Sequence, residues 1–122
     1  MPSILLVDDD PVSADCFAAI FRQLGYAVTA ASSGLAALAH LQQSLPDLVS
    51  LDVMMPEMNG LEVLKQIRTN ERTASLPVVM FSALDEDEWR ERAVGAGADD
   101  YWIKGGFDYG ELEQTIRSRL PA

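Results

Sequence analysis

The chain is poor in the residues that build covalent scaffolds and polyanion-binding surfaces. It has one cysteine, Cys16, and one histidine, His40, and nine lysines and arginines stand against nineteen acidic residues. A lone cysteine cannot close an internal disulfide, so a reducing compartment is its natural home. A formal charge of -10 with the basic residues scattered argues against nucleic-acid binding, because affinity for a phosphate backbone rests on clustered Lys and Arg. Every apolar run is far shorter than the roughly 20 residues of a membrane span, and Met1-Pro2-Ser3 lacks a basic leader segment. The protein is therefore expected to be soluble and cytoplasmic. There is no internal repeat, low-complexity tract or linker, and 122 residues with 48% hydrophobic content fit a single domain over 1–122.

What the sequence does contain is a set of short apolar runs, each ending on a polar residue. Ser3-Ile4-Leu5-Leu6-Val7 runs into Asp8-Asp9-Asp10, Leu48-Val49-Ser50-Leu51 into Asp52, Val78-Val79-Met80-Phe81 into Ser82, and Tyr101-Trp102-Ile103 into Lys104. Runs without alternation read as strands buried on both faces, the pattern of a parallel sheet. Strands at about 3–7, 26–31, 47–52, 77–82 and 100–103 alternate with helices at about 11–24, 34–44, 60–70, 86–96 and 107–120. Asp10-Pro11 reads as a helix start, with a capping carboxylate before a proline in the first turn. Val12, Cys16, Ile20 and Leu24 then form the expected buried stripe of the first helix, with Cys16 as a small hydrophobe. Leu35, Leu38 and Leu41 mark the second helix, Leu61, Leu64 and Ile67 the third, and Leu112, Ile116 and Leu120 the fifth. Gly25 and Gly97 read as helix ends. Five βα units predict a three-layer, doubly wound α/β sandwich of flavodoxin-like type, with its parallel sheet in the order 2-1-3-4-5.

In such sheets ligands bind outside the carboxyl ends of the strands, where the runs aim their terminal side chains. Asp8, Asp9 and Asp52 converging there would repel one another unless a cation sat among them. Oxygen-only ligands suit a hard ion such as magnesium. A magnesium-loaded carboxylate cluster beside a lysine and a hydroxyl fits phosphoryl transfer, with Asp52, the lone acid at its strand end, as nucleophile. Taken singly, each residue has an ordinary explanation: Asp8 and Asp10 as helix caps, Ser82 as a turn former, Lys104 as a solvated charge, Tyr101 as an edge-strand aromatic. Only the conjunction carries chemistry.

That conjunction resembles the receiver domain of two-component response regulators, in particular single-domain receivers of the chemotaxis kind. The resemblance covers essentially the whole chain and rests on four stretches: 4–11, 46–60, Ser82-Ala83 and 97–104. It implies that Asp52 accepts a phosphoryl group from a phosphohistidine on a sensor histidine kinase or histidine phosphotransfer protein. It further implies Mg2+, with Mn2+ as a substitute, held by Asp9 directly, by Asp8 mainly through water, by Asp52 and by the backbone carbonyl of Met54. Ser82 and Lys104 would bind phosphoryl oxygens, and Tyr101 would turn inward as Ser82 is drawn to the phosphoryl group. The output would be the α4-β5-α5 face, read by a downstream effector protein or domain or by a second copy in a phosphorylation-dependent homodimer. Such a chain is a signalling switch and not a turnover enzyme, either standing alone or forming part of a longer protein.

Three rival readings differ at named positions. A haloacid-dehalogenase-type phosphatase needs a second Asp where this chain has Met54, and a flavin binder needs a phosphate loop where Asp8-Asp9-Asp10 would repel phosphate. A phosphorylation-independent receiver-like interaction module usually lacks an acid or the lysine, and here all are present. His40 has no ligand-type neighbour and is expected at the surface, Trp102 in the core, and Trp89 in either place. Asp85-Glu86-Asp87-Glu88 reads as an acidic helix start. One departure from the family stands out: Lys104 is followed by Gly105-Gly106, where receivers commonly carry a cis proline. The cis form costs about 2.5–4 kcal/mol before a non-proline residue, so a trans bond is expected. With glycines in place of proline, Lys104 is expected to be loosely held and its contact with Asp52 slack.

Overall fold

Unbroken apolar runs become the inner strands, and the capping residues set where the helices begin. The computed structural model describes residues 2–82, 87–104 and 108–119. The elements follow in strict alternation: β1 (Ser3–Val7), α1 (Pro11–Gln23), β2 (Ala27–Ala31), α2 (Gly34–Gln43), β3 (Leu48–Asp52), α3 (Gly60–Thr69), β4 (Val78–Ser82), α4 (Asp87–Gly95), β5 (Asp100–Ile103) and α5 (Tyr109–Arg119). All strand pairs are parallel, in the expected order β2-β1-β3-β4-β5. Asp10 caps α1 by accepting the Val12 amide at 3.1 Å. Asn59 and Glu62 form a reciprocal capping box at the start of α3. Gly25 and Gly97 follow α1 and α4 with φ of +100° and +105°, a conformation that favours glycine.

The sheet carries a separate apolar cluster on each face. Leu5, Val7, Val49, Leu51, Met80 and Tyr101 pack with the inner sides of α2, α3 and α4. Ile4, Leu6, Leu48, Val79 and Phe81 pack with Phe17, Ala18 and Phe21 of α1 and Leu112 and Ile116 of α5. Neighbouring strand residues fall in opposite clusters, as the two-residue period of a strand requires. Arg68 on α3 ties the connecting loops together, donating to the carbonyls of Ala74, Leu76 and Gly97 and to Asp99 Oδ2.

Several expectations are corrected. The fully buried side of α1 is Phe17, Ala18 and Phe21; of the expected stripe, Ile20 and Leu24 are half-buried against the same cluster, whereas Val12 and Cys16 are exposed. Both sets have helical spacing, and the bulkier ring-bearing face buries more apolar area, so it takes the core. Leu35 is likewise exposed, and Gly34, Ala37 and Leu41 face inward. On β5 only Tyr101 is fully buried. Trp102 and Ile103 are half-buried because β5 is an edge strand. Trp89 is half-buried against the α3-side cluster, with the Arg92 guanidinium 5.2 Å from its ring centre. Asp87 and Glu88 occupy the first turn of α4, while Asp85, Glu86, Ala83 and Leu120 lie outside the described residues.

Replacing Phe21, which is fully buried, with alanine is expected to cost about 3–5 kcal/mol in urea unfolding. Cys16→Ser should change stability by no more than about 0.5 kcal/mol. A large loss from Cys16→Ser would contradict the assigned orientation of α1.

Candidate functional site

Parallel register brings the strand-end residues together. Val7 of β1 pairs with Leu51 of β3, so Asp8 and Asp52 leave the sheet side by side. Asp52 pairs with Phe81, and Ser82 with Ile103, which places Ser82 and Lys104 one step further along on β4 and β5. The Lys104 amide donates to the Ser82 carbonyl at 2.8 Å, carrying the ladder to the edge of the crevice. Carboxylate oxygens of Asp8, Asp9 and Asp52 lie within 4.8 Å of one another.

The three acids differ in burial. Asp8 is 3% exposed and Asp52 7%, although both stand at the carboxyl edge of the sheet; Asp9 is the most open of the three. Burial is offset by hydrogen bonds. Asp8 Oδ1 accepts the Asp10 amide at 3.0 Å, and Asp52 Oδ1 accepts the Met54 amide at 3.3 Å. The Met54 side chain itself is half-exposed.

Lys104 enters from β5 and meets three oxygens. Its Nζ donates to Asp8 Oδ2 at 2.9 Å and to Ser13 Oγ at 2.9 Å, and lies 3.4 Å from Asp52 Oδ2. The expected loose lysine is corrected in part: Asp8 and Ser13 each meet its ammonium at 2.9 Å, while its contact with Asp52, expected to be slack, is the longest of the three at 3.4 Å. The expected trans Lys104-Gly105 bond involves a residue outside those described.

These contacts set the titration of the cluster. Burial pushes the Asp52 carboxyl up to about 6, with Lys104 opposing the shift and Asp8 adding to it. Burial also acts upward on Asp8, but hydrogen bonds from Ser13, Lys104 and the Asp10 amide, with the lysine charge, hold it below the ordinary carboxylate value. Burial acts downward on Lys104, yet the two acids hold it above the usual lysine value. The ammonium is therefore a permanent cation, and of the two buried acids Asp52 is the less compensated.

Ser82 is fully buried beside this cluster. Tyr101, on the next strand, is buried in the α3-side cluster, and the Arg90 guanidinium from α4 lies 5.2 Å from its ring centre. His40 is half-buried on α2, beside Ser3 and Ile4 at the amino end of β1 and so at the edge of the sheet opposite the crevice.

Two residues with a place in the site were not singled out from sequence. Ser13 sits in the first turn of α1, and only its distance to Lys104 reveals it. Gly60 reads in sequence as turn punctuation. A Cβ there would lie 2.1 Å from the Asp52 carbonyl oxygen and 2.9 Å from Val53 Cα. The start of α3 therefore packs directly on the backbone of Asp52, closed by the Gly60 amide donating to the Val53 carbonyl at 2.8 Å.

Comparison with known proteins places this arrangement in a family. Residues 4–117 match the family described as the response regulator receiver domain. The chain belongs to that family. Among curated relatives, the DNA-binding dual master transcriptional regulator RpaA of Synechocystis is 38% identical over 98% of this chain. The chain covers 49% of RpaA, about half the length of several of the curated relatives it matches. The chemotaxis protein CheY4 of Vibrio cholerae superimposes with a TM-score of 0.89 at 28% identity, covering 98% of this chain and 99% of that one. The response regulator TrrA of Thermotoga maritima, solved with Mg2+ and BeF, superimposes with a TM-score of 0.87 at 30% identity, covering 98% of this chain and 100% of that one.

In this receiver, Gly60→Ala should cost about 3 kcal/mol or more, because backbone atoms stand in the way and cannot rotate aside. Urea unfolding checks this, and a neutral result would contradict the packing of α3 on Asp52. A second expectation concerns pH. The folded Asp52 carboxyl titrates near 6 against an ordinary 3.8, so the folded state binds the proton more tightly. The stabilisation this brings is complete below pH 3.8 and is lost as pH rises through about 6. Asp52→Asn should therefore stabilise the metal-free receiver by on the order of 2–3 kcal/mol at pH 7.5 and have almost no effect at pH 3. Denaturant midpoints at the two pH values read the difference, and a destabilised variant at pH 7.5 would contradict it.

Proposed function

We propose that this receiver is a phosphoacceptor in a two-component phosphorelay, taking a phosphoryl group onto Asp52. The observation that carries the reading is the single crevice in which the buried carboxylate of Asp52 lies against two further acids and the Lys104 ammonium. The donor is a phosphohistidine on a sensor histidine kinase or a histidine phosphotransfer protein. An Asp52 carboxylate oxygen attacks phosphorus, the new O–P bond forms as the P–N bond breaks, and the electron pair returns to the imidazole of the donor. Lys104 pairs with one phosphoryl oxygen and the Ser82 hydroxyl donates to another.

The donor set fits a hard divalent ion, since it offers only carboxylate oxygens within 4.8 Å of one another. Asp9 would hold Mg2+ directly, Asp8 mainly through water, and Asp52 and the Met54 carbonyl would complete the protein ligands, with Mn2+ able to substitute. When bound, the ion neutralises the charge on the acids and on the equatorial oxygens of the transferring group. TrrA is described with Mg2+ and BeF, and a receiver domain of the Pseudomonas aeruginosa sensor kinase PA1611, 31% identical with a TM-score of 0.84, with magnesium in its cleft. Both support the same loading here.

Phosphorylation then biases the surface. Ser82 moving toward the phosphoryl group vacates space beside Tyr101, whose ring fixes the contact between β5 and Arg90 of α4. The α4-β5-α5 face is the output, read by an effector or by a second phosphorylated copy. The chain acts in this way as a cytoplasmic switch, without turnover of an external substrate and without binding nucleic acid itself.

Incubation with a phosphorylated histidine donor should add one phosphoryl group, measured by intact mass. The signal should vanish in Asp52→Asn, fall severely in Asp9→Ala, disappear with a chelator and return with Mg2+ or Mn2+. Undiminished phosphorylation of Asp52→Asn would overturn the assignment.

A further inference from the structure

Lys104 has one partner that none of the roles above uses. An ammonium carries three N–H donors, and three oxygens meet this one among the described residues: Asp8 Oδ2, Ser13 Oγ and, at longer range, Asp52 Oδ2. Ser13 alone of these acceptors is neutral. Its hydroxyl also helps to hold the Asp8 carboxyl below its ordinary value.

We propose that Ser13 is a positioning residue for Lys104, seating the ammonium so that it faces the Asp52 oxygen that receives the phosphoryl group. The inference rests on the phosphoacceptor reading and deepens it. Asp8 and Asp52 hold the lysine by charge, and both belong to the set that would take a divalent cation. A cation among them weakens both ion pairs and repels the ammonium, leaving it on a flexible four-carbon stem. The contact to a neutral hydroxyl depends far less on the charge of the acids. Ser13 is also well placed as an anchor. Asp10 and Pro11 fix the start of α1, and Phe17, Ala18 and Phe21 fasten the helix to the core. The face of the Phe17 ring, 5.9 Å from Nζ, adds a second uncharged contact on the same side.

Ser13→Ala and Ser13→Thr separate this role from a structural one. Alanine is a good helix former and the serine is not the cap, so the alanine variant should keep or slightly raise its melting temperature. With Mg2+ at saturation, beryllofluoride affinity measured by calorimetry should fall about 10-fold or more in Ser13→Ala, the scale expected for a hydrogen bond to a charged group. Ser13→Thr, which keeps the hydroxyl, should stay within about twofold of the parent. The Lys104 ammonium, followed by nitrogen-15 NMR with Mg2+ alone, should exchange with water faster in the alanine variant than in the parent or the threonine variant. Unchanged affinity in Ser13→Ala, or an equal loss in Ser13→Thr, would overturn the positioning role while leaving the phosphoacceptor reading intact. Failure of the parent protein to bind beryllofluoride would overturn that reading, and this inference with it.

Discussion

Three acids and one ammonium share the carboxyl edge of the sheet, and the charges do not balance. Lys104 compensates Asp8 best, at 2.9 Å, and Asp52 less well, at 3.4 Å. The parallel sheet imposes the crowding, because its register delivers Asp8 and Asp52 to adjacent positions that burial then closes to water. Desolvation would neutralise an isolated acid; here it leaves Asp52 titrating near 6, poised between proton and cation. The same imbalance makes the crevice suitable for an added divalent ion and then for a phosphoryl group.

The connection from this crevice to the surface is short. Asp52, Ser82 and Tyr101 lie on successive strands β3, β4 and β5, and Arg90 of α4 covers the Tyr101 ring. A change at the first carboxylate therefore needs only two strand spacings, about 10 Å, to reach the edge of the sheet. A buried tyrosine on an edge strand next to a helix is the kind of two-position element that can convert a local charge into a changed surface.

Much of the architecture was legible in sequence because the inner strands are unbroken apolar runs and the helix starts carry caps. The boundaries of β1 and β5 agree with the expected spans 3–7 and 100–103 residue for residue, and α1 begins at Pro11 behind Asp10. The inward face of α1 was misjudged because two apolar stripes share one spacing, and only packing volume separates Phe17 and Phe21 from Val12 and Cys16. Asp8, Asp9, Asp52, Ser82 and Lys104 were readable because strand ends of a parallel sheet converge. Ser13 and Gly60 were not, since their significance lies in distances across elements: a hydroxyl on α1 reaching a lysine from β5, and a missing Cβ against the Asp52 carbonyl. The contacts of Lys104 with Asp8 and Ser13 were missed for the same reason, since they join side chains from different elements.

The central claim is that a divalent cation completes the charge of this crevice by displacing the proton of Asp52. Calorimetric titration with Mg2+ in buffers of different ionisation enthalpy tests it most directly. At pH 6, near the midpoint for Asp52, about half a proton should be released per ion bound, and at pH 8 almost none. Absence of Mg2+ binding at either pH, or binding at pH 6 without proton release, would contradict the account.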